Sequence, residues 1–542
     1  MGDYVHVNMA KRPVRVGNVS GATGDFSHAM RRMVSSGQCD VVTGDWLSEM
    51  NIAWNAVTKQ EVDPNLGYEN GFYVQLEECL DDIVRGGIRV VTNAGALNTE
   101  SLYTKVKTLL EARGYDHVVV AAVYGDDVSD LVRIVLCRRG TDASPVMGAA
   151  AWWHDWDVSS SHEQLAGSLL AAHLIECGPY VVGANFSGFK DFLPELVDLA
   201  FPMAEIDYHG GCVTSKTSEG GGRVTRGTVT AQLLYGLQGH LYLNPDAVAD
   251  LSGVWVEDEE AANRVRVTGV KGLPPPPTTK VMVAAKGGFQ AEAMFYINGL
   301  DVAAKAEMMR AQPAHVFGDS NFSRLSIELY GTAASNPSSQ QQGTVSLRSY
   351  AGYHMNLDFR TMSPKLFMEM FPAMMSLANI DHRVALSDGQ TMAIPPHEVT
   401  RVYPTVRPTS DTAKPVDLLA YGPSEFAPLG SIVHARSGDK ADNSNVGFFV
   451  RHDDEYPWLR MLLSTSKLKS LLGEDWFRGD TMRRVERVEF PGINAVHFRI
   501  MDNLHGGIAS SDRIDGLGKG IAEYLRSRYI DVPKRFLERG RI

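Results

Sequence analysis

Carboxylate and amide side chains stand directly after four predicted strands, and they are the first candidates for chemistry. The segments that follow these strands are residues 21–25, 44–49, 93–98 and 125–127. Ligands of an open parallel sheet bind beyond the carboxyl ends of its strands, so we expect these segments to converge on one crevice. Neighbouring carboxylates raise one another's pKa and so supply a general acid and a general base. The candidates for this catalytic role are Asp45, Glu49, Asn93, Asp126 and Asp127.

The same carboxylates have two further explanations, which the sequence leaves open. Through their oxygen atoms they can bind a divalent cation such as Mg²⁺. Each aspartate can also be the N-cap of the helix that follows it, a role that needs no ligand. The recurrence of the pattern at successive strand ends favours a site over capping alone.

A glycine-rich turn after the first predicted strand can bind an anionic group. Gly17, Gly21 and Gly24 let the backbone approach a ligand, and the N–H groups of the next helix start point to the same space. The spacing G-x-x-x-G-x-x-G matches neither a dinucleotide fingerprint nor a phosphate loop ending in Gly-Lys-Ser/Thr. We therefore take Gly21, Gly24 and Asp25 as substrate-binding candidates, with a simple turn capped by Asp25 as the alternative.

Two polar segments carry cations that can hold an anion. Residues 216–223 form a glycine-rich loop that begins with Lys216, and residues 436–445 are predicted to form one polar loop. The charged residues of the second loop are Arg436, Asp439, Lys440 and Asp442. Cations on such loops bind phosphate or carboxylate. The alternatives are a solvated turn for the first loop and a self-neutralising set of surface salt bridges for the second.

The elements that must position these residues alternate between strands and helices. Strands are predicted at residues 14–17, 40–43, 88–92 and 117–123, and helices at residues 26–35, 72–84 and 101–112. This alternation is typical of βαβ units and predicts an α/β fold, in which the N-terminal domain has a mainly parallel sheet with flanking helices. An α+β middle region and a small C-terminal α+β domain are expected to follow.

A change in composition marks the predicted domain boundary. Residues 404–417 have the proline-rich, polar composition of a linker. This linker separates an α/β domain over residues 12–403, of which residues 200–403 are the α+β portion, from a C-terminal domain over residues 418–542. A chain of 542 residues is too long for one ordinary core and fits two or three domains.

Composition and charge narrow the class of protein. A chain with 44% hydrophobic and 21% charged residues is typical of a globular protein, and a net charge of −12 without a basic stripe disfavours nucleic acid and anionic membranes as partners. The five cysteines lack C-x-x-C spacing, which fits reduced thiols and a cytoplasmic location. No apolar run reaches the length of a membrane span, and no targeting signal is recognised. A small-molecule partner is expected, and association between identical chains is left open.

The sequence resembles the acyclic terpene utilisation (AtuA) family in its longer, eukaryotic-type form. The segments that carry the likeness are residues 16–25, 42–49 (VTGDWLSE), 89–95 (RVVTNAG), 125–127 (GDD), 141–145 (TDASP), 172–178 (AHLIECG), 228–234 (TVTAQLL), 434–440 (HARSGDK) with Asn445, and 505–507 (HGG). They run almost from end to end of the chain. The resemblance implies an N-terminal AtuA domain and a C-terminal AtuA-like domain, in agreement with the linker.

The resemblance also implies a role in the catabolism of branched acyclic terpenoid acids as CoA thioesters. We expect an enzyme with lyase or hydratase chemistry on such an acyl or acyl-CoA substrate. The strand-end carboxylates then act as acid and base, while Asn93 and the backbone amides of residues 21–24 hold an oxyanion. Arg139 and Lys216 are expected to anchor the anionic end of the substrate, and Asp142, in a matching segment, to take part in binding it. The alternative is a noncatalytic binding or assembly partner of a carboxylase or another pathway enzyme.

One departure from the family lies just after Asp127. Family members have several dozen further residues before the segment that resembles residues 134–145, and these form at least one more strand and helix. Here residues 128–133 alone bridge the gap. Either an incomplete sheet at this point or an altered gene model accounts for the difference, and the missing segment slightly favours the noncatalytic alternative.

Overall fold

The computed structural model describes residues 11–21, 25–124, 136–137, 142–298, 300–317, 324–351, 365–386, 389–477 and 483–542. These residues form two compact units. The first comprises the described residues up to Val283 together with Phe371–Leu504 and Leu517–Ile542, and the second comprises Ala284–Met370 and His505–Gly516.

The first part of the chain alternates strands and helices, as predicted. In chain order the elements are β1 Val14–Asn18, α1 Ala29–Ser35, β2 Val41–Gly44, α2 Glu49–Val57, α3 Asn70–Gly86, β3 Arg89–Thr92, α4 Thr99–Ala112, β4 Ala121–Tyr124, β5 Leu136–Cys137, α5 Ser144–His154 and α6 His162–Ile175. The predicted end of the second helix is confirmed, since Gly87 closes α3 with a left-handed backbone (φ 62°) that glycine adopts at little cost.

Strands predominate in the middle of the chain. In order these elements are β6 Pro202–Ile206, β7 Cys212–Lys216, α7 Arg226–Leu234, β8 Leu241–Leu243, β9 Val248–Asp250, β10 Trp255–Asp258, β11 Val265–Thr268, β12 Lys271–Leu273, β13 Thr278–Asn298, α8 Val302–Phe317, β14 Leu325–Tyr330, β15 Thr344–Ala351, β16 Lys365–Ser376, β17 His382–Leu386 and β18 Thr391–Ile394. In the second unit, β15 pairs antiparallel with β13 and with β14.

The principal sheet of the first unit has seven strands in the order β10-β11-β7-β6-β1-β2-β3. Its parallel part consists of β1, β2 and β3, and the four strands on the other side of β1 run antiparallel. The α/β class is therefore confirmed. The prediction that β4 continues the parallel sheet is wrong, because β4 pairs antiparallel with β17. The sequence of a short apolar strand does not indicate which strand it pairs with, because long-range contacts select the partner strand.

Helix α6 forms the centre of the N-terminal core. All eleven residues from Leu165 to Ile175 are buried, so the helix has no solvated face, unlike a surface helix with one apolar stripe. It packs against α5 and against the sheet, within a core that includes Val14 and Val16 of β1. The end of α6 is thereby held beside the ends of the parallel strands.

The C-terminal part is a small antiparallel sheet with helices. Its elements are β19 Ser424–Pro428, β20 Val433–Lys440, β21 Asn443–Val450, α9 Tyr456–Leu462, α10 Thr465–Leu472, α11 Glu474–Phe477, β22 Val485–Phe490, β23 Ala495–Ile500, α12 Ile521–Arg526, β24 Tyr529–Pro533 and α13 Lys534–Leu537. The sheet order is β20-β21-β23-β22, with β19 and β24 paired separately. Residues 404–417 contain neither helix nor strand, and the domain boundary placed there stays a prediction.

Both faces of this C-terminal sheet are buried. Along β20 and β21, Val433, Ala435, Val446 and Phe448 belong to the core of the C-terminal part, whereas Phe449 joins the N-terminal core. Successive side chains of a strand point to opposite faces, so His434, Arg436, Gly438 and Lys440 share the face that meets the N-terminal part. The prediction of one polar loop over residues 436–445 is wrong. Residues 436–440 continue β20, and the turn is confined to Ala441 (φ 54°) and Asp442.

We predict that His434 makes stability depend on pH. Its ring lies 5.0 Å from those of both Phe186 and Phe449, and burial lowers its pKa to about 3. The unfolded chain binds this proton near pH 6.5 and the folded chain does not, so stability is complete above about pH 6.5 and is lost as the pH falls towards 3. Between pH 7 and pH 5 the loss amounts to about 2 kcal/mol.

Urea unfolding at these two pH values measures the effect. Between pH 7 and pH 5, the unfolding free energy of His434→Phe is expected to fall by about 2 kcal/mol less than that of the parent chain. The control is His209→Phe, at an exposed turn residue, whose unfolding free energy is expected to fall as much as that of the parent chain. An equal pH dependence for the parent chain and His434→Phe would contradict the prediction.

Candidate active site

The turn after β1 is closed by Asp25. Its Oδ2 atom accepts a hydrogen bond of 2.7 Å from the backbone N–H of Gly21. Asp25 does not cap α1, because that helix begins at Ala29 with His28 in the N-cap position. The Gly21 amide already donates to Asp25, so an oxyanion at this turn requires another donor.

The ends of β2 and β3 are joined by a pair of side chains. Asn93 Nδ2 donates to Asp45 Oδ1 at 2.7 Å, and Asn93 Oδ1 accepts from the Trp46 N–H at 3.0 Å. Asp45 is 8% exposed. The helices that follow are capped by Ser48 and Asn98 instead. The capping alternative is thus excluded for Asp45 and Asn93, and the predicted proximity of these two residues is observed.

Cys177, which the sequence did not single out, lies at the centre of the charged groups. Gly21 packs so closely on the peptide that follows Cys177 that a Cβ at position 21 would lie 2.3 Å from the Cys177 carbonyl carbon. Part of the Cys177 surface remains accessible. Burial raises the pKa of its thiol to about 12, and the neighbouring charges that act on it are those of Glu176, Lys440, Asp142 and Asp45.

Charges from three chain segments far apart in sequence therefore act on the Cys177 thiol: the end of β2, the start of α5 and the end of β20. Asp142 precedes α5, within the family-like segment 141–145. Residues 172–178 are another such segment, and this likeness was the one signal that could have pointed to Cys177.

The C-terminal part contributes cations that stack on two tyrosines. The guanidinium carbon of Arg436 lies 4.8 Å from the ring centroids of both Tyr180 and Tyr235. Lys519 Nζ donates to the Tyr180 hydroxyl at 2.9 Å, and the Lys440 side chain lies against Gly236. Arg436 and Lys440 were predicted, whereas the tyrosines and Lys519 were not, since nothing in their local sequence marks them.

Asn445 fixes the two parts to each other at this point. Its Nδ2 atom donates to the Leu234 carbonyl at 3.0 Å, and its Oδ1 atom accepts from the Gly236 N–H at 3.3 Å. These bonds satisfy backbone groups at the end of α7, which a buried helix end requires.

The remaining predicted residues have other positions. The Lys216 ammonium donates to the carbonyl oxygens of Thr217 and Gly220 in its own loop. Asp439 lies close enough to Tyr235 to help raise the pKa of that phenol, which burial raises most. Glu49 begins α2, but its side chain lies outside the described part.

The remaining predicted positions, Gly24, Asp126, Asp127 and Arg139, lie outside the described residues. One correction concerns the strand before residues 125–127. Because β4 pairs with β17, the four strand ends do not belong to one sheet. The roles of these residues stay predictions.

In the described ranges, no group of three or more His, Cys, Asp or Glu side chains is arranged to hold a metal ion. Nor does any helix among those residues have the length and apolar character needed to cross a membrane. The role of Mg²⁺ stays a prediction.

The fold and site define a two-part α/β protein in which a small antiparallel sheet packs on α7 and on the core of the N-terminal part. The model of the "Acyclic terpene utilisation family protein AtuA" matches residues 14–133 and 132–351, and the "AtuA ferredoxin-like domain" matches residues 427–531. The chain belongs to the AtuA family. The comparisons with curated proteins and with solved structures give no match. The two AtuA matches meet at residues 132–133, as expected for a chain shortened after Asp127.

We predict that Gly21→Ala disturbs the site by steric overlap. The new methyl group would lie 2.3 and 2.5 Å from backbone atoms of Cys177 and Gly178, which cannot rotate away. The expected loss of unfolding free energy is about 1–3 kcal/mol. Gly148→Ala in α5 is the control, because its Cβ meets open space and alanine favours a helix. Urea unfolding of both variants measures the difference, and equal stabilities would contradict the overlap.

We predict that Cys177 is unreactive at neutral pH although part of its surface is accessible. With a pKa of about 12, the thiolate fraction at pH 7.4 is on the order of 10⁻⁵. Iodoacetamide labelling followed by peptide mass spectrometry should show little modification of Cys177 in the folded chain and full modification in concentrated urea. Rapid selective labelling of the folded chain would contradict the prediction.

Proposed function

We propose that the chain is an enzyme of acyclic terpenoid catabolism that acts on a branched acyl or acyl-CoA substrate by acid–base chemistry of the lyase or hydratase type. The observation that carries the proposal is the Asp45 carboxylate, which Asn93 orients at the strand ends and whose charge acts, with that of Lys440, on the nearby Cys177 thiol. Family membership supports the pathway, and the geometry supports the type of chemistry.

In this proposal Asp45 is the general base. In a β-hydroxyacyl thioester, its carboxylate removes the proton on the α-carbon, and the electron pair moves into the thioester carbonyl to give an enolate. The enolate then reforms the carbonyl with a double bond between the α- and β-carbons, and the β-hydroxyl leaves as water after a general acid protonates it. Glu49, Asp126 and Asp127 are the candidates for that acid. The reverse sequence is hydration.

Asn93 and the cations supply the stabilisation that the enolate needs. The Asn93 amide has two N–H groups, of which one donates to Asp45, and the other can donate to the thioester oxygen. Lys440 adds a positive charge near Cys177. Cys177 contributes a neutral thiol, since its raised pKa keeps the proton on sulfur.

Exchange of the α-proton in D₂O tests the proposal without knowledge of the complete reaction. A dimethyl-branched acyl-CoA is incubated with the protein in D₂O, with and without Mg²⁺, and deuterium at the α-carbon is followed by mass spectrometry. We expect exchange with the parent chain and a loss of at least about 100-fold with Asp45→Asn, since a positioned base contributes at least that much. Asp381→Asn, at an exposed aspartate that pairs with Arg383, is the matched control.

The outcomes separate the two classes of function. Exchange that depends on Asp45 supports the enzyme. Binding of the acyl-CoA by calorimetry without exchange favours the noncatalytic partner of a carboxylase or another pathway enzyme. An absence of both binding and exchange, with and without Mg²⁺, would rule out the acyl-CoA enzyme.

A further inference from the structure

Arg436 is a buried cation with an unsatisfied donor. Only 4% of the residue is exposed, although it carries a charge. Among the described residues, its buried Nη2 atom has no hydrogen-bond acceptor. A charged donor left unpaired in the interior is costly, so proteins rarely retain one unless a ligand or water satisfies it.

The two tyrosine rings cover the faces of the Arg436 guanidinium but provide no acceptor for its Nη2 atom. Tyr180 and Tyr235 both lie 4.8 Å from the guanidinium carbon, a distance typical of cation–π contacts. Such contacts use the π-system of the rings and accept no N–H hydrogen bond in the plane of the guanidinium. The unsatisfied Nη2 atom of Arg436 is therefore suited to an anionic acceptor such as a carboxylate, which forms charge-assisted hydrogen bonds with a guanidinium.

The groups around Arg436 add to its preference for an anion. Lys519 Nζ lies 4.9 Å from the Tyr180 ring centroid and donates to the Tyr180 hydroxyl at 2.9 Å. That hydroxyl accepts from Lys519 and so keeps its own proton to donate. Burial raises the pKa of Tyr235 well above its usual value, which keeps this phenol neutral beside the cation.

The Tyr235 ring can pack against β20 only because residue 438 is a glycine. A Cβ at this position would lie 2.1 Å from the Tyr235 ring, so the absence of a side chain lets the ring pack on β20 between Arg436 and Lys440. The cation, the ring and the glycine thus form one arrangement along a single strand face.

We propose that Arg436, Tyr180 and Lys519 form an anion clamp for a free carboxylate on the substrate. This inference rests on the proposed function and deepens it, since the substrate then carries a carboxylate besides its reacting acyl group. The clamp binds the carboxylate, and Asp45 and Asn93 act at the other end of the same site. Arg436 is a binding residue in this scheme and takes no part in proton transfer.

A pair of neutral and charged ligands tests the clamp in the parent chain. Calorimetry compares a branched aliphatic acid with its primary amide, which has the same shape and no charge. We expect the acid to bind about 10- to 100-fold more tightly, because the charge-assisted pair with arginine is lost in the amide. Equal affinities would overturn the proposal. Inorganic phosphate is the second probe, and binding of phosphate more tightly than the acid would overturn the assignment to a carboxylate.

Variants then locate the binding. Arg436→Met is expected to weaken acid binding about 10- to 100-fold and to leave amide binding unchanged, and Arg436→Lys is expected to restore part of it. Arg541→Met, at an exposed arginine paired with Glu425, is the control. If Arg436→Met does not fold, the acid affinity of Arg436→Lys and the comparison of acid with amide in the parent chain still test the clamp. Full acid affinity in folded Arg436→Met would overturn the clamp.

The clamp and the proposed function can fail separately. Acid binding through Arg436 without α-proton exchange would support the clamp and refute the enzyme. Exchange that needs Asp45, together with equal binding of acid and amide, would support the enzyme and refute the clamp.

Discussion

The hydrogen bonds of Asn445 at the end of α7 are the interaction on which the candidate site depends. A helix that ends in the interior must have partners for its last backbone groups, and here a side chain of β21 supplies two of them. Tyr235 directly follows this helix, and Arg436 lies on the neighbouring strand. The bonds of Asn445 therefore hold the strand beside Arg436 against the helix end that Tyr235 follows, and residues of both family-matched regions contribute to the candidate site.

Neutral and charged side chains occupy different places where the N-terminal and C-terminal parts meet. His434 and His497 are buried and have pKa values lowered to about 3, and the Cys177 thiol has a pKa raised to about 12, so all three are neutral at physiological pH. The charged side chains Asp45, Arg436 and Lys440 lie at the site. Charge is expensive in the interior, and its concentration at one place is typical of a functional site rather than of a structural core.

The shortened segment after Asp127 affects the parts of the site differently. The Asp45–Asn93 pair and Cys177 are positioned by β2, β3 and α6, and the cations by the C-terminal sheet. Those elements all lie in described segments outside residues 125–141. The proposed acid among residues 126–127 depends on the shortened region. A chain that binds its ligand and has lost part of its proton-transfer groups is a noncatalytic partner, which is why binding and exchange must be measured separately.

Periodicity in the sequence was enough to predict β1 to β3 and the helices α1 and α3, and the shared edge of parallel strands was enough to predict that Asp45 and Asn93 lie close together, whereas α2 was not predicted. Only the folded chain shows that β4 pairs with β17, that residues 436–440 form a strand, and that Arg436 and Lys519 both lie against Tyr180. The charged residues of β20 resembled a loop, because the sequence does not show that the face which carries them is buried on the N-terminal part. Residues hundreds of positions apart become neighbours only when the C-terminal sheet buries its second face on the N-terminal core.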